Sequence, residues 1–221
     1  MSTQRSYDDP CGIARALDSI GERWALLVVR ELLLGPKRFT DLRAGLPTAS
    51  PNVLSQRLRE LEGCGVLQRR VLPQPAGVSV YELTAWGRSL EPVLLSLARW
   101  GSRRAITSER DLSVDALLIA LKTTFDPALC AGDKGRIELR FGTDAVQVSV
   151  DRRGLLIERG AGKAFDAAIT TDSPCLRRLV FGRETLAHAR RAGNATVEGD
   201  EAFATRFLGM FARPQGVGTA A

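Results

Sequence analysis

Polar side chains that can read nucleic-acid bases line one side of a candidate helix at residues 50–63, SPNVLSQRLRELEG. At 100° per residue, Leu54, Leu58 and Leu61 fall within roughly 60° of arc and define a core face. The opposite side carries four hydrogen-bonding residues: Asn52, Ser55, Gln56 and Arg59. Asn and Gln can pair with adenine, and Arg with guanine, in the major groove of DNA. The alternative is an ordinary amphipathic helix whose polar face is solvated.

The elements around this helix favour the DNA-reading interpretation. Ser50 and Pro51 are suited to begin a helix, and Gly63 or Gly65 is suited to end one. A short helix pattern at 39–46 and a turn at 47–49 precede it, and strand patterns at 66–72 and 78–83 follow it. Helix, turn, helix and β-hairpin is the order of a winged helix-turn-helix, in which the second helix enters the major groove.

Basic and polar residues near the helix are candidates for contacts with the DNA backbone: Lys37, Arg38, Ser50, Arg57, Arg69 and Arg70. Lys37 and Arg38 could equally be solvated surface charges. Arg57 is near the core edge of the helix, so it either meets a phosphate or pairs with an acidic neighbour such as Glu60 or Glu62. Successive strand residues point to opposite faces, so at most one of Arg69 and Arg70 readily faces DNA. The hairpin tip at 73–77 carries no Lys or Arg, which predicts weak contact from the tip.

The charge distribution agrees with a basic N-terminal half. Residues 1–104 contain 15 Lys and Arg against 10 Asp and Glu, and residues 105–221 contain 16 against 15. The difference between +5 and +1 places the basic excess beside the candidate DNA helix. Such an excess is expected for phosphate binding, although it would also suit a soluble protein of another kind.

Other classes of site are not indicated. The four cysteines form no CxxC pair and the single histidine, His188, has no partner in the pattern, so we expect no disulfide framework, metal site or cofactor. No nucleophile is paired with a base, and the glycines at 160–162 are too few for a phosphate loop, so we expect no enzyme. Without an apolar run of roughly 18 residues or a signal peptide, the expected location is the cytoplasm, with no membrane partner.

A helix predicted from Thr84 to about Arg104 has a wide apolar stripe. Its candidate dimer contacts are Leu90, Leu94, Leu97 and Trp100. Apolar surface beyond what one small domain can cover is unfavourable in water, so a second copy of the chain is a natural partner. The alternative is that the helix packs only within its own chain.

Residues 10–101 resemble the HxlR-type winged-helix transcriptional regulators. The residues that carry the resemblance are Cys11, Ile20-Gly21-Glu22-Arg23-Trp24, Arg30-Glu31-Leu32, Gly35-Pro36, Arg38-Phe39, Asp41-Leu42, Ser50-Pro51, Leu54-Ser55, Arg57-Leu58, Leu61-Glu62, Tyr81, Leu83-Thr84 and Gly87. The resemblance implies a homodimeric repressor or activator on a pseudo-palindromic operator, with half-sites roughly 34–36 Å apart. It also implies a possible redox sensor at Cys11, where a helix N-terminus favours an anionic sulfur and the neighbouring Asp8 and Asp9 oppose it. The uncharged hairpin tip and the additional C-terminal half depart from the family.

The C-terminal half is predicted to be α+β, with a mostly antiparallel sheet covered by helices. Apolar residues alternate along four strands that begin near 137, 146, 155 and 167. Asp172 or Ser173 is suited to cap one helix, and Asp200 is suited to cap another. Residues 111–211 resemble the sterol-carrier-protein fold, through Ala168 to Asp172, Leu179, Phe181-Gly182, Val197 to Asp200 and Phe207-Leu208. The resemblance implies a tunnel for an apolar small molecule, lined by Phe141, Leu179, Phe181, Phe207 and Phe211. The alternative is that these side chains form a filled core.

These observations predict an α+β protein of two domains. The expected parts are a flexible arm at 1–9, a winged-helix DNA-binding and dimerisation domain at 10–104, a linker at 105–111, a sterol-carrier-like domain at 112–212 and a flexible tail at 213–221. The expected function is sequence-specific regulation of transcription by a homodimer on double-stranded DNA. The sterol-carrier resemblance implies that an apolar ligand in the C-terminal domain controls this function. The alternative is a lipid-binding or carrier module whose winged domain serves protein interaction.

Overall fold

The computed structural model describes residues 6–73, 77–104, 108, 110–130, 132–162, 164–182 and 184–212. The chain divides into two compact units, residues 1–94 and 95–221. The expected tail at 213–221, the first five residues of the expected arm, the centre of the hairpin tip at 74–76 and part of the expected linker lie outside the described residues.

The N-terminal unit contains the predicted helix-turn-helix and hairpin. Its elements are α1 (Gly12–Ile20), α2 (Ala25–Leu32), α3 (Phe39–Gly45), α4 (Pro51–Gly63), β1 (Leu67–Val71), β2 (Ser79–Leu83), α5 (Ala85–Arg88) and the first part of α6 (Glu91–Gly101). Strands β1 and β2 are antiparallel, with Leu67 opposite Leu83 and Arg69 opposite Tyr81. The helix-turn-helix is therefore α3 and α4, and the hairpin after it is the wing.

The core of this unit is formed where the apolar faces of its helices meet. Val28 and Val29 of α2, Leu42 of α3 and the α4 residues Leu54 and Leu58 are at most 1% exposed. Burial of these side chains contributes about 1.5–3 kcal/mol each. Burial of Leu54 and Leu58 also fixes the rotation of α4 about its axis, because the helix can bury its leucines only with the opposite face outward.

The prediction of one helix from Thr84 to Arg104 was wrong. Thr84 does cap a helix, since its hydroxyl accepts the Gly87 N–H at 3.1 Å. That helix, α5, ends after one turn, and α6 begins at Glu91 with Pro92 in its first turn. A proline fits there because the first N–H groups of a helix have no intrahelical acceptor, whereas in a continuous helix its ring would clash with the preceding turn.

Part of the predicted dimer stripe belongs to the core of its own unit. Leu94 is buried among the core residues, and Leu90 packs against them. Both are corrected from dimer contacts to core positions, because the one-turn α5 changes which face of α6 lies on the unit. Leu97 and Trp100 remain exposed.

Residues 6–9 of the expected flexible arm are held against α1. The Tyr7 N–H donates to Asp18 at 2.9 Å, and the Ser6 hydroxyl donates to the same carboxylate at 3.2 Å. The carboxylate of α1 thus fixes the approach of the chain to Cys11, which is the N-cap residue of α1.

The C-terminal unit is a mixed sheet with helices. After the end of α6 come α7 (Val114–Thr124), β3 (Gly135–Phe141), β4 (Asp144–Asp151), β5 (Gly154–Arg159), β6 (Ala167–Thr171), α8 (Ser173–Phe181), α9 (Leu186–Arg191), β7 (Ala195–Gly199) and α10 (Glu201–Leu208). The strand order is β5-β4-β3-β6-β7, with β3 and β6 parallel and the other pairs antiparallel. Asp172 and Asp200 cap α8 and α10 as predicted, accepting backbone N–H groups at 2.7 and 2.9 Å.

A buried carboxylate on this sheet was not anticipated. Ile137 and Leu139 of β3 are fully buried, in keeping with the predicted alternation. Glu138, which points to the opposite face, is also buried, and it accepts hydrogen bonds from Arg140 at 2.7 Å and from the Gly162 N–H at 2.9 Å. The glycine segment at 160–162 therefore has a structural role, because its backbone lies over the second face of the sheet and binds Glu138.

Candidate nucleic-acid interface

Helix α4 presents the polar face that the sequence predicts. Asn52, Gln56 and Arg59 are exposed, and Ser55 is half-buried at the side. The Ser50 hydroxyl accepts the Val53 N–H at 3.4 Å and so caps the helix. These side chains lie opposite the buried leucines, so a face of α4 with amide and guanidinium groups is open to a partner.

Arg57 is removed from the candidate backbone contacts. It is 7% exposed, and its guanidinium pairs with Glu60 and, at 3.4 Å, with Glu22 in the turn between α1 and α2. The sequence left a phosphate and an acidic neighbour as alternatives, and the structure shows the acidic neighbour. The reason is geometric: position 57 is next to Leu58 and Leu61 on the helix, close enough to the core for its side chain to be covered.

Lys37 is removed for a similar reason. It is 9% exposed, and its ammonium donates to Glu31 Oε2 at 2.8 Å, while Arg30 donates to Glu31 Oε1 at 2.7 Å. Its backbone also pairs with Tyr81 of β2 in both directions, at 2.9 and 2.8 Å. Lys37 thus adds a short extension to the wing sheet, and its charge neutralises a fully buried carboxylate instead of a phosphate.

Arg38 has the opposite environment although it is the next residue. Its side chain is exposed at the N-terminus of α3, and its backbone N–H donates to Asp41 at 3.0 Å. Arg43, in the last turn of α3, is also exposed and was missed at the sequence level. Its position on a short helix beside a weak apolar pattern gave no signal of its orientation.

The wing carries two exposed arginines with different partners. Arg69 donates to the Ser79 hydroxyl at 2.6 Å. Arg70 donates to both carboxylate oxygens of Glu82, at 3.0 and 2.9 Å. The hydrogen bonds from Arg70 and Gln68 hold the pKa of Glu82 below its usual range. The hydrogen bonds to Glu82 raise the pKa of Arg70. Arg70 must therefore exchange a bidentate carboxylate for a phosphate, whereas Arg69 gives up only a neutral hydroxyl.

Two apolar stripes are exposed on this half of the chain. On α6, Val93, Leu97 and Trp100 follow one another at spacings of four and three residues, and Trp100 is 68% exposed. On α1, Ile13 and Leu17 are four residues apart, and Ile13 is 72% exposed. Residues at these spacings share one face of a helix. The α1 stripe adds a second exposed apolar surface to the one expected on the helix that follows the wing.

The structure shows where the predicted redox and ligand-binding residues lie, but it does not test their roles. Cys11 is an exposed free cysteine at the N-terminus of α1, and its sensing role stays a prediction. In the C-terminal unit Leu179, Phe207 and Phe211 are buried, and Phe141 and Phe181 are half-buried. The rings of Phe207 and Phe211 meet edge to face with centroids 5.2 Å apart. Direct ring contact is what the filled-core alternative expects, and the apolar ligand stays a prediction.

Two negative observations concern the part of the chain that the structure describes. Within it, His, Cys, Asp and Glu side chains are nowhere grouped in threes as a metal ion would need. None of the helices described is both long and apolar enough to cross a membrane.

Comparison with known proteins identifies the N-terminal unit. The sequence model of the HxlR-like helix-turn-helix family matches residues 19–109. The HTH-type transcriptional regulator YvaP of Bacillus subtilis (strain 168) is 41% identical over 88 residues, which are 40% of this chain and 82% of that protein. The regulator YdeP of the same organism is 39% identical over 93 residues, 42% of this chain and 73% of that protein. A solved structure described as the redox regulator HypR in its oxidized form is 34% identical, covers 44% of this chain and 100% of its own, and has a TM-score of 0.41. With α3 and α4 as its helix-turn-helix and β1 and β2 as its wing, the chain belongs to the HxlR-like helix-turn-helix family.

Proposed function

We propose that the protein is a sequence-specific, DNA-binding transcriptional regulator that acts as a homodimer. The observation that carries the proposal is the exposed face of α4, where Asn52, Gln56 and Arg59 project from a helix whose other side is buried. In a winged helix-turn-helix this helix enters the major groove. Relatives named as transcriptional regulators support the same function.

The residues proposed to read bases are Asn52, Ser55, Gln56 and Arg59. Arg59 has the geometry for bidentate contact with guanine, and Asn52 and Gln56 have that for adenine. The backbone contacts are proposed for Arg38, Ser50 and Arg69, with Arg43 added. Arg70 contributes less because Glu82 already holds its guanidinium.

The dimer is proposed to form through the exposed apolar stripes of α6 and α1. Large apolar side chains such as Trp100 and Ile13 are unfavourable when exposed to water, and packing against a second copy of the chain would remove such side chains from water. A two-fold dimer places two copies of α4 in successive major grooves. The operator is therefore proposed to be pseudo-palindromic, with half-sites roughly 34–36 Å apart.

The test is binding to duplex from the protein's own promoter region against random duplex, by fluorescence anisotropy at two salt concentrations. Arg59→Ala should lower the preference for the promoter by about 2–6 kcal/mol, because the dimer loses one bidentate base contact in each of its two half-sites. Arg153→Ala, which removes an exposed charge from the turn between β4 and β5, is the matched control. If the preference and the affinity of Arg59→Ala equal those of the control, the assignment of the α4 face is refuted.

A further inference from the structure

A chain of hydrogen bonds on α4 ends at one of the proposed base-reading residues. Glu60 uses both of its carboxylate oxygens: Oε2 accepts from Arg57 Nη1, and Oε1 accepts from Gln56 Nε2 at 3.0 Å. Arg57 is anchored in turn by Glu22 at 3.4 Å. Glu60 therefore connects an exposed amide to a buried guanidinium that cannot move freely.

The chemistry of this chain fixes the orientation of the Gln56 amide. A carboxylate has only acceptors, so the amide must turn its NH₂ group toward Glu60. Its carbonyl oxygen and its second N–H are then left for a base. That pair of groups is the edge that recognises adenine, whose N6 amino group donates and whose N7 accepts.

Arg57 gives Glu60 a fixed position rather than a fluctuating one. Arg57 as a whole is 7% exposed, and its Nε is buried without an acceptor among the described residues. A buried cation that already lacks one hydrogen bond depends strongly on the carboxylates it has. Glu60 is thereby held on the side of α4 next to Gln56.

We infer that Glu60 is a positioning residue for base recognition, which holds the amide of Gln56 ready to read adenine and is itself held by Arg57. The inference rests on the proposed function, because it assumes that α4 enters the major groove. Ordering a long side chain before binding avoids an entropic cost at the moment of binding. Glu60 also faces phosphates with a negative charge, so its loss should strengthen binding to any duplex while weakening the choice among duplexes.

The experiment is selection of operator half-sites from a randomised library by the full-length protein, followed by anisotropy titration of single-base variants. Gln56→Ala identifies the base pair that Gln56 reads, with an expected loss of about 5- to 140-fold in discrimination there, the range for one bidentate contact. Glu60→Ala should lower discrimination at the same base pair by about 2- to 12-fold, the value of one side chain ordered in advance. It should raise affinity for random duplex.

Two further variants separate positioning from charge and from folding. Glu62 is exposed on the same helix and accepts the Arg69 N–H at 3.2 Å. Glu62→Gln removes its charge but keeps an oxygen that can accept this hydrogen bond, so it should raise affinity without changing preference at any single base pair. In the Gln56→Ala protein, adding Glu60→Ala should change discrimination no further. If Glu60→Ala fails to fold, Arg57→Met with Glu60→Leu removes both charges of the buried pair, an exchange that proteins tolerate, and must show the same loss.

The outcomes distinguish failure of the inference about Glu60 from failure of the proposed function. If Glu60→Ala changes affinity as Glu62→Gln does and leaves the preference at the Gln56 base pair intact, the inference is overturned. Additive losses in the double variant would overturn it as well. A wild-type protein that selects no preferred sequence would refute the proposed function itself.

Discussion

Lys37 and Arg38 are adjacent basic residues at the start of the helix-turn-helix, and the structure predicts opposite results when each is removed. Arg38→Met should weaken binding to promoter and random duplex alike, because an exposed charge near phosphates is lost. The slope of log affinity against log salt should fall in magnitude by about 0.9 for each phosphate contact removed. Lys37→Met should leave that slope unchanged, because its ammonium lies 2.8 Å from the buried Glu31.

The cost of losing Lys37 should appear in folding. Removing one partner of a buried ion pair typically costs 3–5 kcal/mol, and we expect about 3 kcal/mol here because Arg30 still pairs with Glu31. Urea denaturation measures this change in the free energy of unfolding, and Arg38→Met should change it by less than about 0.5 kcal/mol.

The number of exposed cations also predicts the salt slope of the wild-type dimer. The sequence offers Lys37, Arg38, Arg57 and one wing arginine, which predicts a salt slope of about −7 for two protomers. With the two buried cations left out and the exposed Arg43 added, three cations per protomer predict a slope of about −5. A slope near −7, or a Lys37→Met protein that loses slope and keeps its stability, would refute the assignment of buried charges.

Two other predictions concern assembly and pH. Leu97→Glu should convert the proposed dimer to a monomer in sedimentation equilibrium, whereas Leu156→Glu, at a similarly exposed leucine of β5, should not; equal behaviour of the two variants would rule out the α6 stripe as the interface. In the C-terminal unit, a hydrogen bond from Arg178 at 2.6 Å holds the pKa of Glu184 below its ordinary value of 4.5, with His188 adding to the effect. A carboxylate whose pKa is lowered on folding stabilises the protein above its unfolded pKa, and this contribution is lost as the pH falls through the folded value. The unfolding temperature of Glu184→Gln should thus lie below that of the wild type at pH 6, and the gap should close below pH 4.5; a gap independent of pH would contradict the assignment.

The sequence predicted elements whose signals are local. The spacing of Leu54, Leu58 and Leu61 located the buried face of α4, and Thr84, Asp172 and Asp200 located three helix starts. These features depend on neighbours within one turn of a helix, so they can be read without knowing the fold.

The predictions that were wrong or missing concern contacts between residues that are far apart in the sequence. Lys37 and Arg38 are adjacent basic residues, and no local pattern in the sequence separates their environments. Lys37 is buried against Glu31 only because α2 approaches the start of α3. Ile13 and Leu17 form a regular apolar stripe in the sequence, yet nothing in that stripe states whether the partner is the same chain or another one. The break between α5 and α6 likewise moved Leu94 from a predicted interface into the core.

The buried charges lie where the segments that carry the proposed DNA-contacting residues are joined to the rest of the unit. Glu31 of α2 binds Lys37, whose backbone is paired with β2, so one carboxylate links the second helix, the start of α3 and the wing. Space around it is so limited that a Cβ on Gly45, at the end of α3, would lie 2.2 Å from Glu31 Oε2.

Arg57 likewise links separate elements through an ion pair, because it joins α4 to Glu22 in the turn between α1 and α2. Apolar side chains of equal volume would often stabilise such positions as well or better. What they could not supply is direction, because a hydrogen bond to a carboxylate fixes both distance and angle, whereas apolar contact tolerates sliding and rotation. We therefore infer that the two clusters fix the orientation of α3, α4 and the wing, and with it the base edges that Gln56 and Arg59 are proposed to reach.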